Sequence, residues 1–240
     1  MKIIQHPLPF WDERPQAQDI DSLVLHCSAH EPEEMISVLT QQKLSVHYIV
    51  GSNGQIYQLV PEEKRAWHAG VSCWKGVENL NHRSIGIELS SLSMGQGDYP
   101  LRQILSLVRL IKDILRRQPA IRPQNVVAHS DVAPTRKPDP GIAFPWQYLA
   151  AKGIGLWYDL ADASKIDETN VVILLQQIGY NTQNLPAAQY AFCRHFAPYY
   201  VQKDTDIQHL VDNVYLQDFV FPTEVLPILQ AVAYRYRTTD

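Results

Sequence analysis

In the segment His129-Ser-Asp-Val-Ala-Pro-Thr-Arg-Lys-Pro-Asp-Pro-Gly141 a histidine closes the apolar run Val126-Val-Ala, and Lys137 and Asp139 follow on a proline-stiffened stretch. Both residues precede a proline, which biases each toward extended backbone. In extended chain, positions i and i+2 point to one side, so the spacing turns Lys137 and Asp139 toward a common site. In a polyproline-like loop they diverge instead, and the tertiary fold must converge them. A second histidine, His26, lies near the end of the apolar run over residues 22–27. Two imidazoles and a carboxylate supply three protein ligands and leave a fourth tetrahedral position for water, the donor set of catalytic zinc. Other divalent ions accept the same donors. Taken singly, each histidine is more often structural than a ligand. Their joint appearance at strand ends beside Lys-Pro-Asp-Pro-Gly favours a metal hydrolase.

Glu88 stands inside Ile85-Gly-Ile-Glu-Leu89. A carboxylate among apolar neighbours is costly unless it is paired or used. Either it is a strand-end acid facing water, or it is the general base that takes a proton from a metal-polarised water. Lys137 is either a solvated surface lysine, the usual fate of lysines, or an ammonium that stabilises the oxyanion at the scissile carbonyl. His47, in a predicted strand, suits a core or supporting role as well as ligation. His68 sits in Ala66-Trp-His-Ala-Gly70, a small-residue loop suited to touching a ligand. Trp67 and Trp74 either face a sugar ring or pack.

These residues need a sheet to carry them. The run over 22–27 reads as a buried strand, and Met35, Ile36, Val38 and Leu39 after Glu33-Glu34 read as a short helix. Val46-His-Tyr-Ile-Val and Gln55-Ile-Tyr-Gln-Leu-Val flank Asn53-Gly54, a hairpin signal. Residues 66–84 read as a loop, 85–89 as a central strand, 101–117 as an amphipathic helix and 126–129 as another strand. Residues 1–20 read as a polar, proline-bearing surface arm. Helices and strands interleave, so the expected class is α/β, a central mixed β-sheet flanked by helices. Beyond about residue 165 only helical patterns remain, over 171–178, 187–196, 207–215 and 225–236. The chain therefore divides into residues 1–155, with the arm, and a small all-helical domain over 156–240. At 240 residues and 45% hydrophobic content a sizeable core is expected. The net charge of −4 without a basic run argues against nucleic acid, and no apolar stretch approaches the ~20 residues of a membrane span. Cys27, Cys73 and Cys193, odd in number and widely spaced, form no disulfide or zinc framework.

Val24-Leu-His26, Ser45-Val-His-Tyr-Ile-Val50, Ala66-Trp-His-Ala-Gly70, Ser84-Ile-Gly-Ile-Glu88, Asn125-Val-Val-Ala-His129 and Arg136-Lys-Pro-Asp-Pro-Gly141 occur in this order. Together they resemble the zinc N-acetylmuramoyl-L-alanine amidases of the peptidoglycan-recognition type, nearest the bacterial AmpD and AmiD branch. The resemblance runs from about Leu23 to Trp146. It implies Zn2+ on His26, His129 and Asp139, Glu88 as catalytic base, Lys137 as oxyanion stabiliser, and His68, Asn81 and Tyr48 near the substrate groove. The implied reaction is hydrolysis of the amide between N-acetylmuramic acid and L-alanine in peptidoglycan or muropeptides. Leu174-Leu-Gln-Gln-Ile-Gly-Tyr180 and Ala191-Phe-Cys-Arg-His-Phe196 are similar to the helical peptidoglycan-binding module that follows the amidase domain in the AmiD branch.

Two rival readings stand beside this one: a muropeptide receptor of the same fold that binds without cutting, and an unrelated metal peptidase. The receptor is disfavoured because all three ligand positions hold competent side chains. The visible N-terminus has no signal-peptide apolar region, which favours the cytoplasm. An export signal trimmed from the sequence would instead place the protein in the periplasm or at the outer membrane. No motif fixes an oligomeric state.

Overall fold

The structure, a computed structural model, describes all residues except 1, 16–18, 98, 202, 204–205, 213–215, 217–218 and 240. In chain order its strands are β1 (Ile3–Gln5), β2 (Trp11–Glu13), β3 (Ser22–Ser28), β4 (Tyr48–Val50), β5 (Ile56–Gln58), β6 (Lys64–Ala66), β7 (Cys73–Trp74), β8 (Val77–Glu78), β9 (Ser84–Ser90) and β10 (Val126–Ala128). The helices are α1 (Pro32–Gln42), α2 (Leu101–Arg117), α3 (His129–Val132), α4 (Trp146–Ala151), α5 (Val171–Ile178), α6 (Leu185–Phe196), α7 (Ile207–Asp212) and α8 (Leu226–Thr238). Six strands form one mixed sheet in the order β1-β5-β4-β9-β3-β10. Its neighbours are parallel except β4 and β5, which the Asn53-Gly54 turn joins as an antiparallel hairpin. The expected mixed sheet with flanking helices is present.

Register decides which side chains meet. His26 pairs with Glu88, Glu88 with Ile49, and Val127 with Val24, so His129, just past β10, comes level with His26. Neighbours in register share a face, and His129, His26, Glu88 and Ile49 form one row. Tyr48, Leu25 and Ile87 point to the opposite face. That opposite face is covered by α2, whose Leu107, Leu110, Ile111 and Ile114 recur at helical spacing and pack with Leu23, Leu25, Ile85 and Ile87. On the site face, Met35 and Ile36 of α1 pack with Ile49 and Tyr57. The rest of that face is closed by the C-terminal helices, whose Leu174, Phe192 and Leu229 gather with Val24 and Val127.

Two expectations are refined. The N-terminal segment, expected as a surface arm, is built into the sheets: Ile3 and Ile4 extend the main sheet beside β5, β2 pairs with β6, and Arg14 reaches inward. Its guanidinium donates to the carbonyls of Glu62, Asn81, His82 and Ser84, a set of partners no local pattern announces. The loop over 66–84 contains the β7–β8 hairpin. The helix expected over 207–215 spans Ile207–Asp212, and 213–215 lie outside the described residues. By contrast α5 ends where its glycine falls. Gly179 sits at φ +132°, and a Cβ there would lie 2.7 Å from the Lys75 side chain and 3.0 Å from the Trp74 ring.

Candidate metal centre

His26 comes from β3, His129 opens α3 immediately after β10, and Asp139 lies on the Pro-Asp-Pro turn. All three are buried. The Nδ1 atoms of the two histidines are 2.9 Å apart, and Asp139 Oδ2 is 3.0 Å from His129 Nδ1 and 3.4 Å from His26 Nδ1. This is the group of convergent metal-competent donors among the described residues.

The surrounding hydrogen bonds fix which nitrogen carries each proton. Ser84 Oγ gives its single proton to the Leu80 carbonyl at 2.6 Å, so it accepts from His68 Nε2 at 3.2 Å. His68 Nδ1 is then an acceptor, and His26 Nε2 donates to it at 3.0 Å. His129 Nε2 donates to the Ala69 carbonyl at 3.2 Å. In the neutral rings both Nδ1 atoms therefore carry lone pairs. Two lone pairs and a carboxylate oxygen face one another at 2.9–3.4 Å with no proton between them, an arrangement that a cation satisfies. The donor set thus fits a metal ion.

Charge runs the same way. Burial, with His129 beside it, lowers His26 to about 4 and keeps the ring neutral. Burial resists ionisation of Asp139, but a proton entering the group settles on an adjacent imidazole, and this holds the carboxyl well below its ordinary range. Burial also drives His68 well below 6.5. Glu88, partly exposed beside His26, is pushed up to about 8 by burial and by Asp139, while Lys137 pulls it back. Lys137 is partly exposed, and its ammonium acts on both His26 and Glu88. Asp139 and Lys137 thus both act on His26 and Glu88, although the chain between His129 and Val132 makes a helical turn before reaching them.

The remaining sequence candidates separate. His68 lies behind His26 as its hydrogen-bond partner, and Gly86 gives it room: a Cβ at 86 would stand 2.6 Å from the imidazole. Asn81 Oδ1 accepts from the backbone N–H of His68 and Ala69, at 3.1 and 2.7 Å, so it braces the loop that carries both supports. Arg136 holds the same loop through the carbonyls of Ala69 and Val71. Asn81 and Arg136 also line a cavity of about 730 Å3 that the three donors do not line. Tyr48 is not brought to the site. The two-residue period sends it to the α2 face, where its hydroxyl donates to Glu62 at 2.8 Å. His47 accepts from Gly86 N–H and contacts Arg14, one layer behind His68. Sequence reasoning missed Ser84 and Arg14 as supports, and also Asp131. Asp131 accepts from Ala128 N–H, Tyr180 and His195, joining the His129 segment to the C-terminal helices. No local pattern marked Asp131, because the residue three positions before it is Ala128, which lacks the side-chain oxygen of a capping pair.

The profile of the N-acetylmuramoyl-L-alanine amidase family matches residues 16–142, a span that contains His26, Glu88, His129, Lys137 and Asp139. N-acetylmuramoyl-L-alanine amidase AmiD of Escherichia coli is 38% identical over 237 residues, covering 84% of this chain and 86% of that protein. The solved structure of that enzyme in complex with anhydro-N-acetylmuramic acid-L-Ala-D-gamma-Glu-L-Lys superposes with a TM-score of 0.74 at 33% identity, covering 93% of each chain. The 1,6-anhydro-N-acetylmuramyl-L-alanine amidase AmpD of Haemophilus influenzae is 35% identical over 166 residues, 60% of this chain and 88% of AmpD.

Proposed function

This chain belongs to the N-acetylmuramoyl-L-alanine amidase family, and from that premise we propose how its residues divide the hydrolysis of muropeptides among themselves. His26, His129 and Asp139 would hold one Zn2+. Tetrahedral zinc with bonds of ~2.0–2.1 Å sets its ligand atoms roughly 3.3 Å apart, which the 2.9–3.4 Å donor spacings match. Calcium, at ~2.3–2.6 Å, asks for a wider and more oxygen-rich cage. When bound, zinc supplies Lewis-acid polarisation of the carbonyl and lowers the pKa of a water.

Glu88 takes the proton of the attacking water and returns it to the departing L-alanine nitrogen. Burial and Asp139 favour the neutral Glu88 carboxyl, and a cation held by the three donors would favour its charged, proton-accepting form, so the bound metal itself would prepare the base. Lys137 holds the oxyanion formed from the scissile carbonyl. His68 and the Ala69 carbonyl keep the two imidazoles turned to the centre, and Asn81 holds that loop at the edge of the substrate groove. The bond cleaved joins the lactyl carbonyl of N-acetylmuramic acid to L-alanine, and anhydromuramyl peptides are the proposed substrate, by likeness to the E. coli AmiD complex. Residues 1–155 form the catalytic unit and residues 156–240 a peptidoglycan-binding unit. In support of that division, the AmpD match covers 60% of this chain yet 88% of AmpD.

The observation that carries the reading is the convergence of three proton-free donors next to the Glu88 carboxyl, which stands in register with His26. Mass spectrometry of a digested anhydromuramyl peptide tests it. Release of a peptide with a free L-alanine amino terminus supports the amidase. Uncut substrate would indicate a receptor, and a cut between amino acids a peptidase.

A further inference from the structure

A cleft of about 600 Å3 opens between the start of α4, residues 157–160 and the end of α6, away from the metal ligands. Its walls are aromatic, with Phe144, Trp146, Trp157, Tyr158, Phe196 and Tyr199. At its rim Tyr199 is 98% exposed and Leu160 55% exposed. Large apolar side chains left open around a concave site mark a contact surface.

One buried polar group is aimed into this cleft. His195 is only 3% exposed, and rings of Trp146 and Phe196 cover its two faces, each with centroids 3.9 Å away. Its Nδ1 donates to Asp131 at 2.7 Å, and Asp131 is held in turn by Ala128 N–H and Tyr180. That bond commits Nδ1, and Nε2 is the ring's remaining polar atom. Nε2 has no partner among the described residues, and the edge that carries it is the one turned from Asp131 to the cleft. Asp159 adds an acceptor at the mouth, and no lysine or arginine lines the cavity.

We propose that this cleft is a second binding site, distinct from the metal centre, that takes a neutral N-acetylhexosamine unit of a glycan strand. Such a sugar presents flat C–H faces to aromatic rings, hydroxyls that donate to or accept from Nε2, and hydroxyl or acetamido N–H donors to Asp159. An anionic stem peptide would meet Asp159 with no compensating cation. Assigning the sugar to the glycan of a wall substrate rests on the amidase reading; the preference for a neutral, donor-rich ring rests on the cleft.

The test uses the full zinc-loaded chain and the N-acetylglucosamine tetramer, which contains neither a lactyl group nor a scissile amide. Indole N–H resonances are followed by NMR during titration. Saturable shifts of the Trp157 and Trp146 indoles are expected. Tyr199→Ala, at an exposed position, should weaken binding roughly tenfold and slow cleavage of long glycan strands. Cleavage of a short anhydromuramyl peptide should be unchanged. Absence of saturable binding at millimolar tetramer would overturn the proposal. So would equal binding by wild type, Tyr199→Ala and Trp157→Ala, or a sugar-free stem peptide moving the same indoles more strongly. Sugar binding that survives in a protein without amidase activity would sink the catalytic reading and leave this site standing.

Discussion

Ser84 has one proton, and giving it to the Leu80 carbonyl leaves only an acceptor for His68. From that choice follow the tautomers of His68 and His26 and the lone pair at His26 Nδ1. Ser84→Ala removes the acceptor, and metal affinity should fall ~10–100-fold, the usual loss when a ligand's supporting partner goes. Competition with a chromogenic chelator reads this directly. Gly86→Ala should act alike, because its Cβ would displace the His68 ring. Unchanged affinity in both would remove the relay from the account. Lys137→Met should lower kcat by ~100–1000-fold with little change in KM, the signature of a group that acts on the oxyanion. The candidate donors and the lysine beside them were legible because histidine, acid and lysine stood on recognisable strand ends and a proline-rich loop. Their supports were not. Ser84, Ala69 and Gly86 are ordinary residues whose role comes from who stands opposite them in three dimensions.

At the scale of elements, parallel register does most of the positioning. β3 and β9 present His26 and Glu88 side by side, and a one-residue slip of either strand would send its residue to the α2 face. Helices α2 and α5 were readable from apolar spacing and, for α5, from its terminal glycine. Tyr48 was misplaced because a motif match carries no phase, whereas the strand period does. On its own face Tyr48 joins Arg117 and Gln118 in holding the Glu62 carboxylate, which ties the segment after β5 to the end of α2. Burial raises the Glu62 pKa, but these donors outweigh it and set it below its ordinary value. A depressed carboxyl stabilises the fold above its unfolded pKa of ~4.3 and loses that contribution as pH falls through the folded value. Glu62→Gln should therefore be less stable than wild type at pH 7, by roughly 1 kcal/mol after allowing for solvent screening at half-exposed Arg117. Urea denaturation at stepped pH should show the gap closing below ~pH 4. A gap that persists into acid would mean the carboxylate charge is not its source.

Across the whole molecule, the C-terminal helices do more than follow the sheet domain. They bury Val24 and Val127 of the sheet, and Tyr180 and His195 close on Asp131, two residues from the metal-competent His129. The sequence marked these helices but not their docking, since the contacts join residues 49 and 64 positions apart. Tyr180→Phe leaves one Asp131 oxygen short of a donor, at a cost of about 1–2 kcal/mol. For a chain this size that lowers Tm by roughly 2–4 °C per kcal/mol in a thermal melt. An unchanged Tm would mean the two parts are held by apolar packing alone. Among the described residues no helix is long and apolar enough to cross a membrane. What unites the scales is the claim that three donors hold one zinc ion while Glu88 moves the proton. The most direct test is kcat on an anhydromuramyl peptide for Glu88→Gln protein carrying one zinc per chain. The account predicts a loss of ~100-fold or more with zinc content intact. A zinc-loaded Glu88→Gln enzyme that turns over like wild type would contradict it.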